Sequence, residues 1–549
     1  MASQRSDPPV NTLFYGDNLD VMRENVSTAS VDLVYLDPPF NSNRNYNVIF
    51  ARKASSSDTA QIQAFDDTWR WTQVTEEQYV DLINGGVPNA VADALRAMHT
   101  LLGENDALAY LVNMAPRLVE MHRVLKPTGS LYLHCDPTMS HYLKVMLDAI
   151  FGAQHFRNEI IWKRTNAHSS SKKYGPIHDV ILYYGKSLHV TWETPRKEYT
   201  EEYLDKYYKF NDGDGRLYWR ADLCAAGVRH GESGKPWRGI DPTYKGMHWK
   251  FQVSRLDELD AEGRIYWPPR GTMPQYKRYR EELPGLAVGD VWDDIDKINP
   301  VADERLGYPT QKPLALLERV LHASSKPGDV VLDPFCGCGT TVDAAIKLDR
   351  RWLGIDITYI AVGLIQARLK DTYGDDITKT YRVEGIPRDL PGAQALFDAS
   401  PFDFERWAVT LADGTPNEKQ VGDRGIDGVI RFLNDAKGKA EGGRVLVSVK
   451  GGKSINPAMV RDLVGTVESQ KAEMGVLVTM VPPTPGMVEA ANHSGTYTWP
   501  VNGQIFPKVQ IITVRELLNF KRPKMPPPLR PYISATRRKQ PIDQPTLDI

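Results

Sequence analysis

The stretch VVLDPFCGCGTTVDAAI, residues 330–346, decides the fold. An apolar β-branched run meets a glycine-rich turn, and a helix-forming run follows. Gly337 and Gly339 allow the backbone to approach a ligand closely, and the helix that opens at Thr340 offers free N–H groups to an anion. Seventeen residues past Gly339, RWLGIDI places Asp356 at the end of the next strand, where an acid suits a ribose diol. A tight βα turn alone would also want glycines. The acid at the following strand end makes a nucleoside-type cofactor the better reading. The loop is not GxGxxG, which argues against a nicotinamide dinucleotide.

Outward from this unit, VDLVYL (31–36), GSLYLHC (129–135) and HDVILYYG (178–185) read as buried strands, separated by amphipathic stretches such as YLVNMAPRLVEMHRVL. The alternation predicts a parallel, doubly wound α/β sheet. It is lost from about 190 to 290, where short aromatic and basic clusters with many Gly and Pro take over, and resumes at YPTQKPLALLERVL. The expected organisation is a first half over 1–189, an insertion over 190–292, a second half over 293–385, a further α/β domain over 400–520, and a Pro-rich basic tail over 521–549. A chain of 549 residues with a formal net charge of -2 is too long for one core and neutral enough that only local patches can decide a polyanion partner. Its 4 cysteines form no metal or disulfide pattern. No apolar run approaches a membrane span, and the start MASQRSDPPVNT has no signal core, so a cytoplasmic protein is expected.

A second stretch, VYLDPPFNSN (34–43), ends a buried strand in a rigid, acidic, aromatic-tipped loop. Alone it could be a proline turn at a sheet edge. Beside DPFCGCGTT it resembles the catalytic loop of amino-group DNA methyltransferases, and DPFCGCGTT resembles their S-adenosylmethionine loop. The order, catalytic loop first, is similar to the β group, whose members often form homodimers. FYGDNLDVM resembles the segment beside the cofactor adenine, and GYPTQKPLALLERVL resembles the cover of its methionine end. The likeness runs over about 12–380. It implies a Rossmann-like methyltransferase sheet with an inserted DNA-recognition region, S-adenosyl-L-methionine as cofactor and double-stranded DNA as partner. The implied cofactor residues are Asp17, Lys312, Asp333, Phe335, Gly337, Gly339, Thr340 and Asp356.

An exocyclic amine is a poor nucleophile because its lone pair is shared with the ring. Asp37 and the Pro38 carbonyl can accept its two N–H bonds, Pro38 and Pro39 fix the loop, and Phe40 offers a face for the base. A base inside a duplex must first be flipped out. The NSNRNYN run that follows, with Asn41, Asn45 and Tyr46, is expected to close over it. Related cytosine-N4 enzymes more often carry Ser where Asp37 stands, so the likeness favours adenine N6, with cytosine N4 as the alternative. In the insertion, Trp219, Trp237, Arg238, Lys277 and Arg278 suit phosphate contact and base stacking, although a structural core is the simpler reading for most of them.

Further on, GDRGIDGVIRFL and RVLVSVKGGK resemble an Mrr-like restriction endonuclease of the PD-(D/E)xK fold. The likeness makes Asp427 a Mg²⁺ ligand, with Glu405 near it, and Lys450 the residue that steers water or steadies the phosphorane. Ser448 stands where such nucleases carry a carboxylate or amide, which leaves two outcomes: a Mg²⁺-dependent cutter, or a domain that only clamps DNA. The combined expectation is a single-chain restriction–modification protein. A DNA-binding module with vestigial catalytic folds is the non-enzymatic alternative.

Overall fold

The computed structural model describes residues 11–39, 45–49, 61–66, 69–166, 174–269, 273–299, 310–417, 425–432, 442–519 and 521–528, with single positions at 302, 304, 306 and 434. Compactness divides the chain into one unit of Met1–Glu193 with Asp290–Ile549 and another of Thr194–Gly289.

The first unit is built on nine strands: β1 (Thr12–Tyr15), β2 (Val31–Leu36), β3 (Leu125–Cys135), β4 (Phe156–Lys163), β5 (His178–Gly185), β6 (Val291–Trp292), β7 (Val330–Asp333), β8 (Arg351–Asp356) and β9 (Arg382–Glu384). Their order is β6-β4-β5-β3-β2-β7-β8-β1-β9. β2, completely buried, pairs in parallel with both β3 and β7, as expected of a near-continuous apolar run covered on both faces. The sheet is mixed rather than wholly parallel, because β5 runs antiparallel to β3 and β4. The chain between Lys163 and His178 carries no described helix, and a parallel return needs a crossover of a dozen or more residues, usually helical.

Helices α1 (Asn18–Asn25), α2 (Asp106–Val124), α3 (Leu314–Ser324), α4 (Thr340–Lys347) and α5 (Tyr359–Tyr373) flank the strands. Asp17 caps α1 by accepting from Leu19 N, and Asn105 caps α2. α2 buries Leu108, Leu111, Met114, Leu118 and Met121 against β2 and β3 in the main core. Registers Tyr15↔Asp356, Asp333↔Gly354, Leu332↔Val34 and Leu36↔Leu133 bring the carboxyl ends of five strands to one edge. Ligands of open α/β sheets bind at that edge.

After β9, α6 (Pro401–Leu411) leads into a second sheet of β10 (Thr415–Pro416), β11 (Gly428–Phe432), β12 (Gly443–Lys450), β13 (Met474–Thr479) and β14 (Val509–Thr513), ordered as numbered. β10 to β12 are antiparallel and β12 to β14 parallel. Its core of Phe404, Trp407, Val445, Val447, Val476 and Ile512 also receives Tyr15 and Ile386, so the C-terminal sheet packs onto the end of β1. The unit Thr194–Gly289 holds a four-stranded antiparallel sheet over a small core of Leu223, Trp237, Trp249, Leu256, Leu259 and Ile265. Among the described residues no helix is long and apolar enough to cross a membrane.

The turn after β9 passes tightly under β1. Gly385 has φ +82, and a Cβ there would lie 2.1 Å from the Tyr15 carbonyl oxygen. Gly385→Ala is expected to cost about 1–3 kcal/mol of stability through backbone strain and to lower the melting temperature in a thermal scan. Gly495→Ala, at φ +85 but with nothing within 4 Å, should cost clearly less.

Candidate functional site

The carboxyl edge encloses a cavity of about 230 Å³. Gly16 and Asp17 after β1, Asp37 and Pro39 after β2, Pro334 to Cys338 after β7, and Ile357 and Thr358 after β8 line it, with Thr310, Gln311 and Lys312 from the segment before α3. Of the cofactor residues expected from sequence, Asp17, Lys312, Asp333, Phe335, Gly337, Thr340 and Asp356 therefore share one cavity. Gly339 lies behind the wall as the left-handed residue that starts α4, where a Cβ would strike Ile365 at 2.7 Å.

The glycine loop is pinned from within. Gly337 N donates to Asp356 Oδ2 (2.9 Å), Cys336 N to the Ile355 carbonyl (3.0 Å), and Phe335 N to Asp333 Oδ1 (3.0 Å). Asp356 Oδ1 also accepts from the backbone N and the hydroxyl of Thr358, each at 2.8 Å. Burial pushes the Asp333 carboxyl up to about 7, and the charges of Asp37 and Asp356 add to the rise. Burial likewise pushes Asp356 up to about 6 against its hydrogen bonds from Thr358 and Gly337.

Asp17 both lines the cavity and holds the chain around it. Beyond capping α1, its Oδ2 accepts from Arg117 Nη2 (2.6 Å). Arg117 Nε donates to Asn18 Oδ1 (2.8 Å), and Asn18 Nδ2 donates to the Pro334 carbonyl (2.8 Å), which ties the start of α1 to the glycine loop through α2. Sequence reasoning missed Asn18 and Arg117. The available signal was an arginine in the mostly apolar YLVNMAPRLVEM run.

The carboxylate of Asp37 sits at the centre. Lys312 Nζ donates to Asp37 Oδ2 across 275 positions of chain. Oδ1 is buried and has no hydrogen-bond partner among the described residues. A buried carboxylate oxygen with nothing to accept from costs free energy unless a donor arrives. Lys312, expected on the cofactor, is paired with Asp37 and also lines the cavity. Pro38 is buried beneath the loop. Phe40 and Asn41, and the side chains of Asn45 and Tyr46, lie outside the described residues.

Elsewhere the expected residues fare differently. Trp237 is 3% exposed, stacks on Trp267 and donates from Nε1 to Asp257, so its ring serves the core of its unit. Lys277 is ion-paired with Asp212, and Arg238 with Asp260 at 2.9 Å. Trp219 is half-buried beside Tyr207 and Tyr208, and Arg278 is exposed. In the C-terminal sheet, Asp427 Oδ2 accepts from Val449 N (2.6 Å), and Ser448 Oγ donates to the Gly425 carbonyl (2.8 Å). Burial and the Asp427 charge push Glu405 up to about 7, with Lys450 opposing. Among the described residues no three His, Cys, Asp or Glu side chains are grouped to hold a metal.

Residues 31–366 match a family described as DNA methylase, of the N6/N4 type. Residues 402–519 match one described as NACHT-associated inactive Restriction Endonuclease 1. The chain is 36% identical over 261 residues to the type II methyltransferase M.EcaI of Enterobacter cloacae, covering 47% of this chain and 57% of that one. It is 26% identical to the Mod subunit of the type III restriction-modification enzyme StyLTI of Salmonella typhimurium, over 66% and 53% of the two chains. It is 25% identical to the DNA adenine methyltransferase YhdJ of Escherichia coli K12, over 69% and 94%. The match thus spans little more than half the length of the first two relatives.

Asp333 and Asp356 bind a proton more tightly folded than unfolded. Their contribution to stability is present below the ordinary carboxyl value of 3.8 and is lost as pH rises through about 6 to 7. Asn at 333 keeps the acceptor for Phe335 N and cannot ionise. Asp333→Asn is therefore expected to raise the melting temperature above wild type at about pH 8 and to change it little at about pH 4.5. Equal shifts at both pH values would contradict the assignment.

Proposed function

Because this chain belongs to the N6/N4 DNA methylase family, we propose that it transfers a methyl group from S-adenosyl-L-methionine to adenine N6 of a base flipped out of double-stranded DNA, as the modifying half of a restriction–modification protein. The observation that carries this reading is the Asp37 carboxylate, fixed by Lys312 through one oxygen and presenting the other, without a partner among the described residues, at the cavity that the glycine loop lines.

The cavity suits the cofactor. Left-handed glycines and the N-terminus of α4 bring backbone close at one end, Asp356 stands where a ribose would lie, and several carboxylates favour a cation. Bound S-adenosylmethionine supplies an electrophilic methyl on a positively charged sulfur, and the reaction needs no metal. Asp37 Oδ1 accepts one N–H of the target amine and the Pro38 carbonyl the other. This withdraws the nitrogen lone pair from conjugation and aims it at the methyl. Lys312 keeps the carboxylate turned toward the amine.

Asp at the first position of DPPF supports adenine over cytosine, and the name of the YhdJ relative points the same way. For the C-terminal sheet we propose a restriction-endonuclease-like domain that does not cut. Ser448 spends its hydroxyl on Gly425, Asp427 spends an oxygen on the backbone of Val449, and the matching family is described as inactive.

Purified protein with labelled S-adenosylmethionine and unmethylated DNA is expected to form N6-methyladenine without added metal. Asp37→Ala should slow this by roughly 100-fold or more, while Lys450→Ala leaves it unchanged. Label in N4-methylcytosine would overturn the base assignment, and full activity in Asp37→Ala the site. With Mg²⁺, plasmid DNA should stay intact; cutting that disappears in Lys450→Ala would restore a nuclease role.

A further inference from the structure

Behind Asp37 lies a chain of buried polar groups that the reaction described so far does not use. Tyr35 lines the cavity two residues before Asp37. Its hydroxyl is 3.0 Å from His134 Nδ1, and His134 Nε2 is 3.2 Å from Asp179 Oδ2. The three residues, on β2, β3 and β5, are 1%, 0% and 2% exposed. Arg164 Nε lies 3.2 Å from Asp179 Oδ1, and the Trp162 ring packs edge-on against His134. Burying a His–Asp pair costs several kcal/mol before its attraction is counted, and apolar side chains of similar size would fill this space at no such cost.

We propose that Tyr35, His134 and Asp179 form the exit path for the proton released by methyl transfer, an inference that rests on the methyltransferase reading above. Asp179 is acceptor-only, so Nε2 of His134 carries the proton and Nδ1 accepts from the Tyr35 hydroxyl. When the amine nitrogen takes the methyl carbon, an N–C bond forms, the S–C bond breaks and its electron pair stays on sulfur. The nitrogen, now positive, releases the proton it directs at Asp37 Oδ1; as that proton passes on to Tyr35 Oη, which shares the cavity with Asp37, the tyrosine's own proton passes to His134 Nδ1. The imidazolium that results is balanced by Asp179, and charge is conserved at every stage.

The surroundings suit this direction. Asp37, Asp333 and Asp179 all disfavour a tyrosinate at Tyr35, whose hydroxyl burial pushes well up, so Tyr35 passes a proton on rather than losing one. Burial alone would raise the Asp179 carboxyl, but the hydrogen bond from His134 and the charges of Lys312 and Arg164 hold it below its ordinary value. Lys312 thus acts electrostatically on both the Asp37 and the Asp179 ends of the network.

Single-turnover methylation of unmethylated genomic DNA tests this in the full chain. Tyr35→Phe is expected to slow transfer roughly tenfold or more near neutral pH, with cofactor affinity by calorimetry unchanged. A wild-type rate in Tyr35→Phe would overturn the relay, as would a rate loss matched by lost cofactor binding. Histidine ¹⁵N spectra of the cofactor-free wild type give a readout independent of activity and of any variant. They should show His134 protonated on Nε2 and bare on Nδ1; the opposite tautomer also overturns the proposal. If wild-type protein methylates no DNA at all, the methyltransferase reading fails first and takes the relay with it.

Discussion

The contact on which the site depends is the ion pair between Asp37 and Lys312. A carboxylate at a strand end would ordinarily turn outward to water. Here it is held inward by an ammonium supplied from the other side of a large insertion. One oxygen is satisfied, and the other has no partner among the described residues. The sheet order makes this possible: β2 and β7 are neighbours although nearly 300 residues separate them, so the loops that follow them face one another.

Around that pair the structure spends its buried charges in a consistent way. Arg117 joins Asp17, Asn18 and the glycine loop, so that α2 braces both walls. Asp356 locks Gly337. Tyr15, immediately before the cavity-lining Gly16, has its ring in the core of the C-terminal sheet. The C-terminal domain is therefore part of the framework that positions the start of α1, whatever it does to DNA.

Much of this was legible in the sequence, for identifiable reasons. VVLDPFCGCGTT and VYLDPPF each combine an apolar run with residues that fit only a tight loop, so strand, turn and ligand-facing edge were all implied by local chemistry. The antiparallel run of β5 was not, since HDVILYYG is equally apolar in either direction. The pairing of Lys312 with Asp37 was not legible, because a lysine near a cofactor loop carries no mark of its partner. His134 and Asp179 were passed over as ordinary strand residues; a polar residue fully buried in an apolar strand was the sign to follow. In the insertion, the bland reading served Trp237 and Lys277 better than the nucleic-acid reading, because small cores are made from the same aromatics and cations that grip DNA.

A crystal structure of the full chain with S-adenosylmethionine tests the central claim most directly. The account predicts the ligand across the β7 glycine loop, its ribose at Asp356 and its methyl facing the open oxygen of Asp37, with the Lys312 pair intact. A ligand bound elsewhere, or one whose methyl points away from Asp37, would contradict it.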